Sequence, residues 1–311
     1  MMISAMYAEA AAGDPANHMN LIQAVILGIV EGLTEFLPVS STGHLTVAEK
    51  LMGLQIDSVA VTAFTAVVQV GAIFAAVLYF IKDIFRIAIG WIKGIFSAQA
   101  RQQMEWRFGW AVIVGSIPIA IIGLVGKDLI EGALRSLWFV AAGLIVWSAV
   151  MVAAEWYHNR LTAEPLGRHG PDDSGIRHED QVTVMDGLLI GLAQCLALVP
   201  GVSRSGATIS IGLFRSLDRV AATRMSFFLG IPALSAAGLL EAVDYRDQIA
   251  STVGWVPTIV GIVVSFLVGY ASIAWLLRLV GKHPISVFVP YRIIVGVVII
   301  VLVAFGFISA T

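Results

Sequence analysis

Residues 28–44 read GIVEGLTEFLPVSSTGH. The stretch is mostly apolar, yet it sets Glu31 and Glu35 four positions apart, then Pro38, the hydroxyls of Ser40, Ser41 and Thr42, and His44. Residues four apart share a helix face, so the two carboxylates point the same way. Whether that face meets water or hydrocarbon decides the fold, and the surrounding chain answers it. Of 311 residues, 58% are hydrophobic and 13% charged, with mean hydropathy +0.88. Soluble domains average about 25% charged residues. The composition is that of an all-α polytopic membrane protein.

Six segments are apolar enough to cross roughly 30 Å of hydrocarbon, with cores near 64–81, 109–125, 136–154, 225–242, 255–277 and 288–309. Two further regions, 20–52 and 184–217, are apolar but broken by Pro, Gly, Ser and charge. Each reads as two short helices joined by irregular backbone, which membrane depth tolerates only where protein or a cavity covers it. Both are expected to be re-entrant hairpins.

The two regions also align with each other. Gly32-Leu33-Thr34-Glu35-Phe36-Leu37 matches Gly191-Leu192-Ala193-Gln194-Cys195-Leu196. Pro38-Val39-Ser40-Ser41-Thr42-Gly43 then finds a counterpart in Pro200 and Val202-Ser203-Arg204-Ser205-Gly206, and Gly71 in Gly230. The chain therefore divides into a tail (1–19), a first repeat (20–154), a polar cytoplasmic connector (155–181) and a second repeat (182–311). Three spans per repeat turn the second copy upside down, the inverted plan of many transporters. Lys82, Arg86, Lys93, Arg101 and Arg107 mark the loop after the first span as cytoplasmic, and Arg215, Arg219 and Arg224 fall on that side as well. The first hairpin then enters from the outer face and the second from the cytoplasmic face, their tips meeting inside the membrane. Residues 1–19 lack a positive n-region and carry Glu9 and Asp14, unlike a signal peptide; Met19 is an alternative start. Trp91, in the amphipathic stretch 84–96, reads as an interfacial anchor.

A charge at the centre of an inserted helix costs about 2.5–3.5 kcal/mol, and two neighbours repel. A cation, a proton or a water-filled cavity must offset Glu31 and Glu35, which makes them functional candidates. Ser41 lies three residues from His44, a base that could activate it. Ser or Thr ahead of 45–52 also suits a helix cap, but beside paired carboxylates catalysis is the stronger reading. In the second hairpin, Gly201 and Gly206 frame a turn into a helix N-terminus, a ready anion site. Arg204 adds a planar fork of donors, and Ser203, Ser205 and Thr208 can complete the oxygen shell. Alternatively Arg204 is a strut paired with Glu31 or Glu35. Carboxylates beside a phosphate binder suit a bridging divalent cation. The net charge of −2 argues against nucleic acid, and a single cysteine, Cys195, excludes a disulfide framework.

The stretches EGLTEFLPVSSTGH (31–44) and PGVSRSGAT (200–208) resemble the signatures of the bacterial undecaprenyl-diphosphate phosphatases, the bacitracin-resistance proteins, and the likeness extends over roughly 20–309. The resemblance implies hydrolysis of undecaprenyl diphosphate to the monophosphate carrier on the periplasmic side of the inner membrane. It further implies support of cell-wall synthesis, and resistance to bacitracin, which acts indirectly by sequestering the lipid substrate. By position, Glu31 and Glu35 match the family's acidic, Mg2+- or Ca2+-linked pair, Ser41 and His44 its nucleophile and base, and Arg204 with Ser203 and Thr208 its diphosphate loop. One departure is Thr65 after Phe64, where family members often carry an acid. A flippase or exchanger of the same carrier lipid is the rival reading: it would need Arg204 but neither Ser41 nor His44. The Gly- and Ala-rich face at 230–238 permits packing within or between chains, leaving a homodimer open.

Overall fold

The computed structural model describes residues 19–56, 58–126, 136–163 and 175–310. Among these the chain is helical, with no strand beyond a single bridge between Arg177 and Leu217. The helices are α1 Leu21–Thr34, α2 Ser41–Leu51, α3 Val59–Tyr79, α4 Ile81–Phe96, α5 Met104–Val125, α6 Leu137–Ala163, α7 Val184–Leu196, α8 Arg204–Phe214, α9 Arg219–Asp244, α10 Trp255–Val280 and α11 Val289–Ala304. Six are long and apolar enough to cross a membrane: α3, α5, α6, α9, α10, and α11 with its leading turn Ile285–Phe288. They fall on the six segments expected. The tail expected at 1–19 lies outside the described residues apart from Met19.

Each of the two interrupted regions forms a pair of short helices. α1 starts at Asn20, whose side chain accepts from the Gln23 N–H while the Gln23 side chain accepts from the Asn20 N–H, satisfying two of the orphan donors of a helix start. α1 and α2 are joined by a turn through Pro38, and α7 and α8 by a turn through Pro200. The short leading helices pack on long ones through glycines. A Cβ on Gly28 would come 2.7 Å from the Gly261 carbonyl of α10, and one on Gly32 2.7 Å from that of Ser265. Gly187 and Gly191 of α7 press in the same manner on the carbonyls of Ala111 and Gly115 in α5. Small residues permit such contact where hydrocarbon supplies no hydrophobic drive between helices.

The joining turns sit at the centre. Phe36 and Val39 from the first, and Ile209 and Leu213 from α8, share one buried cluster with Ala72, Ala75 and Phe227; the Phe36 ring meets Phe227 edge-on at 5.5 Å. At another end a belt of ion pairs gathers the arginines noted in the sequence. Arg219 is bonded to Glu155, Arg215 to Asp186, and Arg224 to Asp83 and Glu179.

The polar connector expected from residue 155 begins instead as the last turns of α6. Glu155 is buried there, because Arg219 and the Ile285 N–H bond its carboxylate. Residues 175–181 are likewise held, by Arg177 on Asp186 at 2.7 Å; that bond raises the Arg177 guanidinium above its ordinary range. Residues 164–174 lie outside the described ones. Trp91 stacks on Trp106 at 6.0 Å and packs edge-on against Trp110, so it anchors α4 to α5.

Candidate active site

The two turns end in the same local structure. Ser40 caps α2 at φ 77° and Ser203 caps α8 at φ 75°, a left-handed region costly for residues with a Cβ. Each side chain offsets part of that cost by accepting the N–H three residues on: Gly43 at 3.5 Å and Gly206 at 3.2 Å. Ser40 Oγ also accepts the Gly201 N–H at 3.1 Å, tying one turn to the other.

Arg292, one residue after Tyr291 at the start of α11, completes the tie. It is wholly buried. Its guanidinium donates to the carbonyls of Pro38 at 2.7 Å, Gly201 at 2.9 Å and Val202 at 3.2 Å, and Nε donates to Ser148 Oγ at 3.1 Å. A buried charge is tolerable only when its donors are this fully used. Sequence reading missed Arg292, because nothing local to α11 marks it.

The carboxylates meet at this junction. Glu35 is buried and receives three bonds from two residues far apart in the chain: Ser41 Oγ donates to Oε2 at 2.7 Å, and Arg204 donates twice to Oε1, at 3.3 and 3.4 Å. Arg204 also donates to the Ser226 carbonyl and lies against Gly230, where a Cβ would strike its guanidinium. The strut expected as one reading of Arg204 is thus present, on Glu35. Glu31, one turn earlier and 1% exposed, has an Oε1 with no protein partner. The charges acting on it are Glu35, Arg204 and Glu49. Glu49 of α2, also buried, accepts from the Thr65 hydroxyl at 2.6 Å. The threonine that replaces the expected acid after Phe64 therefore holds a carboxylate brought from another helix. The charge it exerts on Glu31 is what reveals Glu49 as a neighbour of the pair.

Ser41 and His44 are not joined. His44 Nδ1 lies 2.7 Å from the Ser40 carbonyl, and Nε2 lies 2.7 Å from the Tyr291 hydroxyl. The three hydroxyls expected to line a phosphate shell are engaged within the protein. Ser203 Oγ caps α8, Ser205 donates to the Leu37 carbonyl at 2.9 Å, and Thr208 Oγ1 lies 2.8 Å from the Arg204 carbonyl and 2.6 Å from Ser226 Oγ. Gly201 carries a positive φ of 93° and presses on the Val140 carbonyl. Ser41, His44 and Arg204 keep partial exposure, so they form the reachable edge of the site.

Six spans around a buried, charged junction of two capped turns define a polytopic membrane protein with its polar chemistry inside the helical bundle. The chain belongs to the family described as bacitracin resistance protein BacA, which matches residues 24–298. It is similar to "Undecaprenyl-diphosphatase 3" of Frankia casuarinae, 53% identical over 293 residues, covering 94% of this chain and 100% of that protein. It is similar as well to "Undecaprenyl-diphosphatase" of Cutibacterium acnes, 50% identical over 299 residues (94% and 100%), and to the protein of the same name in Mycobacterium sp. strain KMS, 44% identical over 294 residues (94% and 100%).

Proposed function

We propose that the protein hydrolyses undecaprenyl diphosphate to undecaprenyl phosphate and inorganic phosphate, returning a lipid carrier to cell-wall synthesis and conferring bacitracin resistance. The carrying observation is the chain Ser41–Glu35–Arg204: a hydroxyl and a guanidinium meet on one buried carboxylate. The names of the similar proteins agree with it.

In this reading the isoprenoid tail stays in the bilayer and the diphosphate reaches the junction from the periplasmic side of the inner membrane. Arg204 and the N–H groups of residues 203–205 bind the phosphates, those of 201, 202 and 206 being bonded within the protein. Phosphoryl transfer is catalysed mostly by positioning and charge stabilisation. Ser41 gives its proton to Glu35, with which it is already bonded, and its oxygen attacks the terminal phosphorus. The bond to the bridging oxygen breaks and undecaprenyl phosphate leaves. Water then displaces the phosphoryl group from Ser41: one of its protons leaves with inorganic phosphate, the other goes to His44, and Glu35 returns its proton to the Ser41 oxygen. His44 serves as the second base, activating that water. The unpartnered Oε1 of Glu31 beside Glu35 fits a bound Mg2+ or Ca2+. Among the described residues no group of three His, Cys, Asp or Glu could hold a metal, so the remaining ligands would be substrate oxygens and water. Such a cation would neutralise the diphosphate's charge.

The fold reading that accompanies this is an inverted repeat of two re-entrant hairpins. It is supported by the shared capping at Ser40 and Ser203 and by the paired glycine contacts of α1 and α7. The test is phosphate release from a polyprenyl diphosphate by purified protein, with and without each cation. Release that Arg204→Ala and Glu35→Gln both abolish supports the reading. A trapped phosphoserine at Ser41 supports covalent catalysis, whereas a Ser41→Ala protein with most of its turnover makes Ser41 only a ligand. Unimpaired function after loss of both Ser41 and His44 would turn the assignment toward a lipid carrier.

A further inference from the structure

His44 approaches neither Ser41 nor a carboxylate. Its partners are the Ser40 carbonyl on Nδ1 and, 247 positions away in sequence, the Tyr291 hydroxyl on Nε2. The two rings are stacked, centroids 5.5 Å apart and 12° from parallel. A carbonyl only accepts, so Nδ1 carries a proton. The hydroxyl then donates to the Nε2 lone pair of the neutral ring. Burial of the ring is the main cause favouring its neutral form, and the positive charge of Arg292, the residue next to Tyr291, acts in the same sense.

We propose that Tyr291 is a positioning residue for His44, fixing the orientation of a ring whose proton the Ser40 carbonyl holds on Nδ1, so that Nε2 is the nitrogen available as a base. This rests on the placement of His44 in the site under the proposed function. A phenol suits the task because its oxygen serves both states of the ring. It donates to Nε2 in the resting imidazole, turns aside to yield that lone pair to the attacking water, and accepts from Nε2–H once the ring has taken the water's proton. The second bond is charge-assisted, hence the stronger one, and it forms only as the base acts. Removing it therefore slows turnover while leaving substrate binding intact. Arg292, bonded to both turns, sets where α11 presents Tyr291.

The test uses full-length protein in detergent, with 15N-labelled histidine read by NMR, a His44→Gln variant to assign the resonance, and Tyr291→Phe, which keeps the ring and its stack. kcat and KM are measured on a polyprenyl diphosphate. The expected result is a wild-type His44 protonated at Nδ1 and a Tyr291→Phe protein that keeps the proton there, on the Ser40 carbonyl, while its Nε2 resonance shifts as the hydroxyl's bond is lost. Its kcat falls about 10-fold, a fraction of what general-base catalysis supplies, with KM within about twofold. An Nε2-protonated His44 in the wild type overturns the proposal whatever the variants do, including the case in which Tyr291→Phe does not fold. A fully active Tyr291→Phe beside an inactive His44→Gln overturns the positioning role alone. A fully active His44→Gln overturns the placement of His44 in the site and the proposal with it.

Discussion

The two turns share a backbone and differ in chemistry. Each places a positive-φ serine before a helix of 11 residues and caps it from the same atom to the same relative glycine. At the position after that serine the first turn has Ser41 and the second Arg204, and both side chains go to Glu35. The residue aligned with Glu35 in α7 is Gln194, buried, with neither amide atom bonded to protein. Two turns of like backbone thus send side chains from both to one carboxylate and leave the matching position, Gln194, without a partner. The two turns match in backbone, while single side chains set them apart.

The sharpest way to break this comparison is Arg204→Ala, which removes the second turn's contribution to Glu35. Phosphate release should fall roughly 10³-fold, the order seen when one preorganised donor is lost. Arg204→Lys should not restore it, because a point charge lacks the planar fork; steady-state assays of both variants check this. Next comes Arg292→Leu, which unties both turns at once. Several buried carbonyls lose their donor, at about 1–3 kcal/mol each, so thermal unfolding in detergent should show a loss of at least ~3 kcal/mol. Smaller effects separate the two caps. Ser203→Ala should cost about 1 kcal/mol and Ser203→Gly less, since glycine accepts the positive φ. Ser40→Ala should exceed Ser203→Ala, because Ser40 also holds the Gly201 N–H. Gln194→Leu should change stability by under about 1 kcal/mol in either direction, its amide having no bond to lose; activity close to wild type would confirm that α7 carries no half of the chemistry.

Much of the fold was legible because hydrocarbon imposes length and continuity on a span, and the six apolar runs carried that signature. The turns were legible for the opposite reason: Pro38, Pro200 and their serines and glycines interrupt runs that would otherwise cross. The meeting of Glu35 with Arg204 could be foreseen as one option, since a buried carboxylate needs a counter-charge. The partner of His44 could not. Three residues of separation suggested Ser41, but local spacing limits only which contacts are reachable, and α11 supplied a hydroxyl from the far end of the chain. Arg292 and Glu49 escaped for the same reason: each is an ordinary polar residue within its own helix, and its meaning lies in elements distant in sequence. The polar stretch from 155 looked like a connector because its charges alternate, yet their opposite partners stand at 86, 186, 219 and 224.

The guanidinium of Arg292 also has a mechanical consequence. It grips carbonyls of both turns from within the protein, much as a rivet holds two plates. A transporter that rocks one half against the other must let such plates slide, and here sliding would strand a charge away from water at a cost of roughly 3–5 kcal/mol. The junction is built to stay shut. Stiffness of this kind suits a molecule that works on a headgroup brought to it and leaves the greasy tail to travel in the lipid outside.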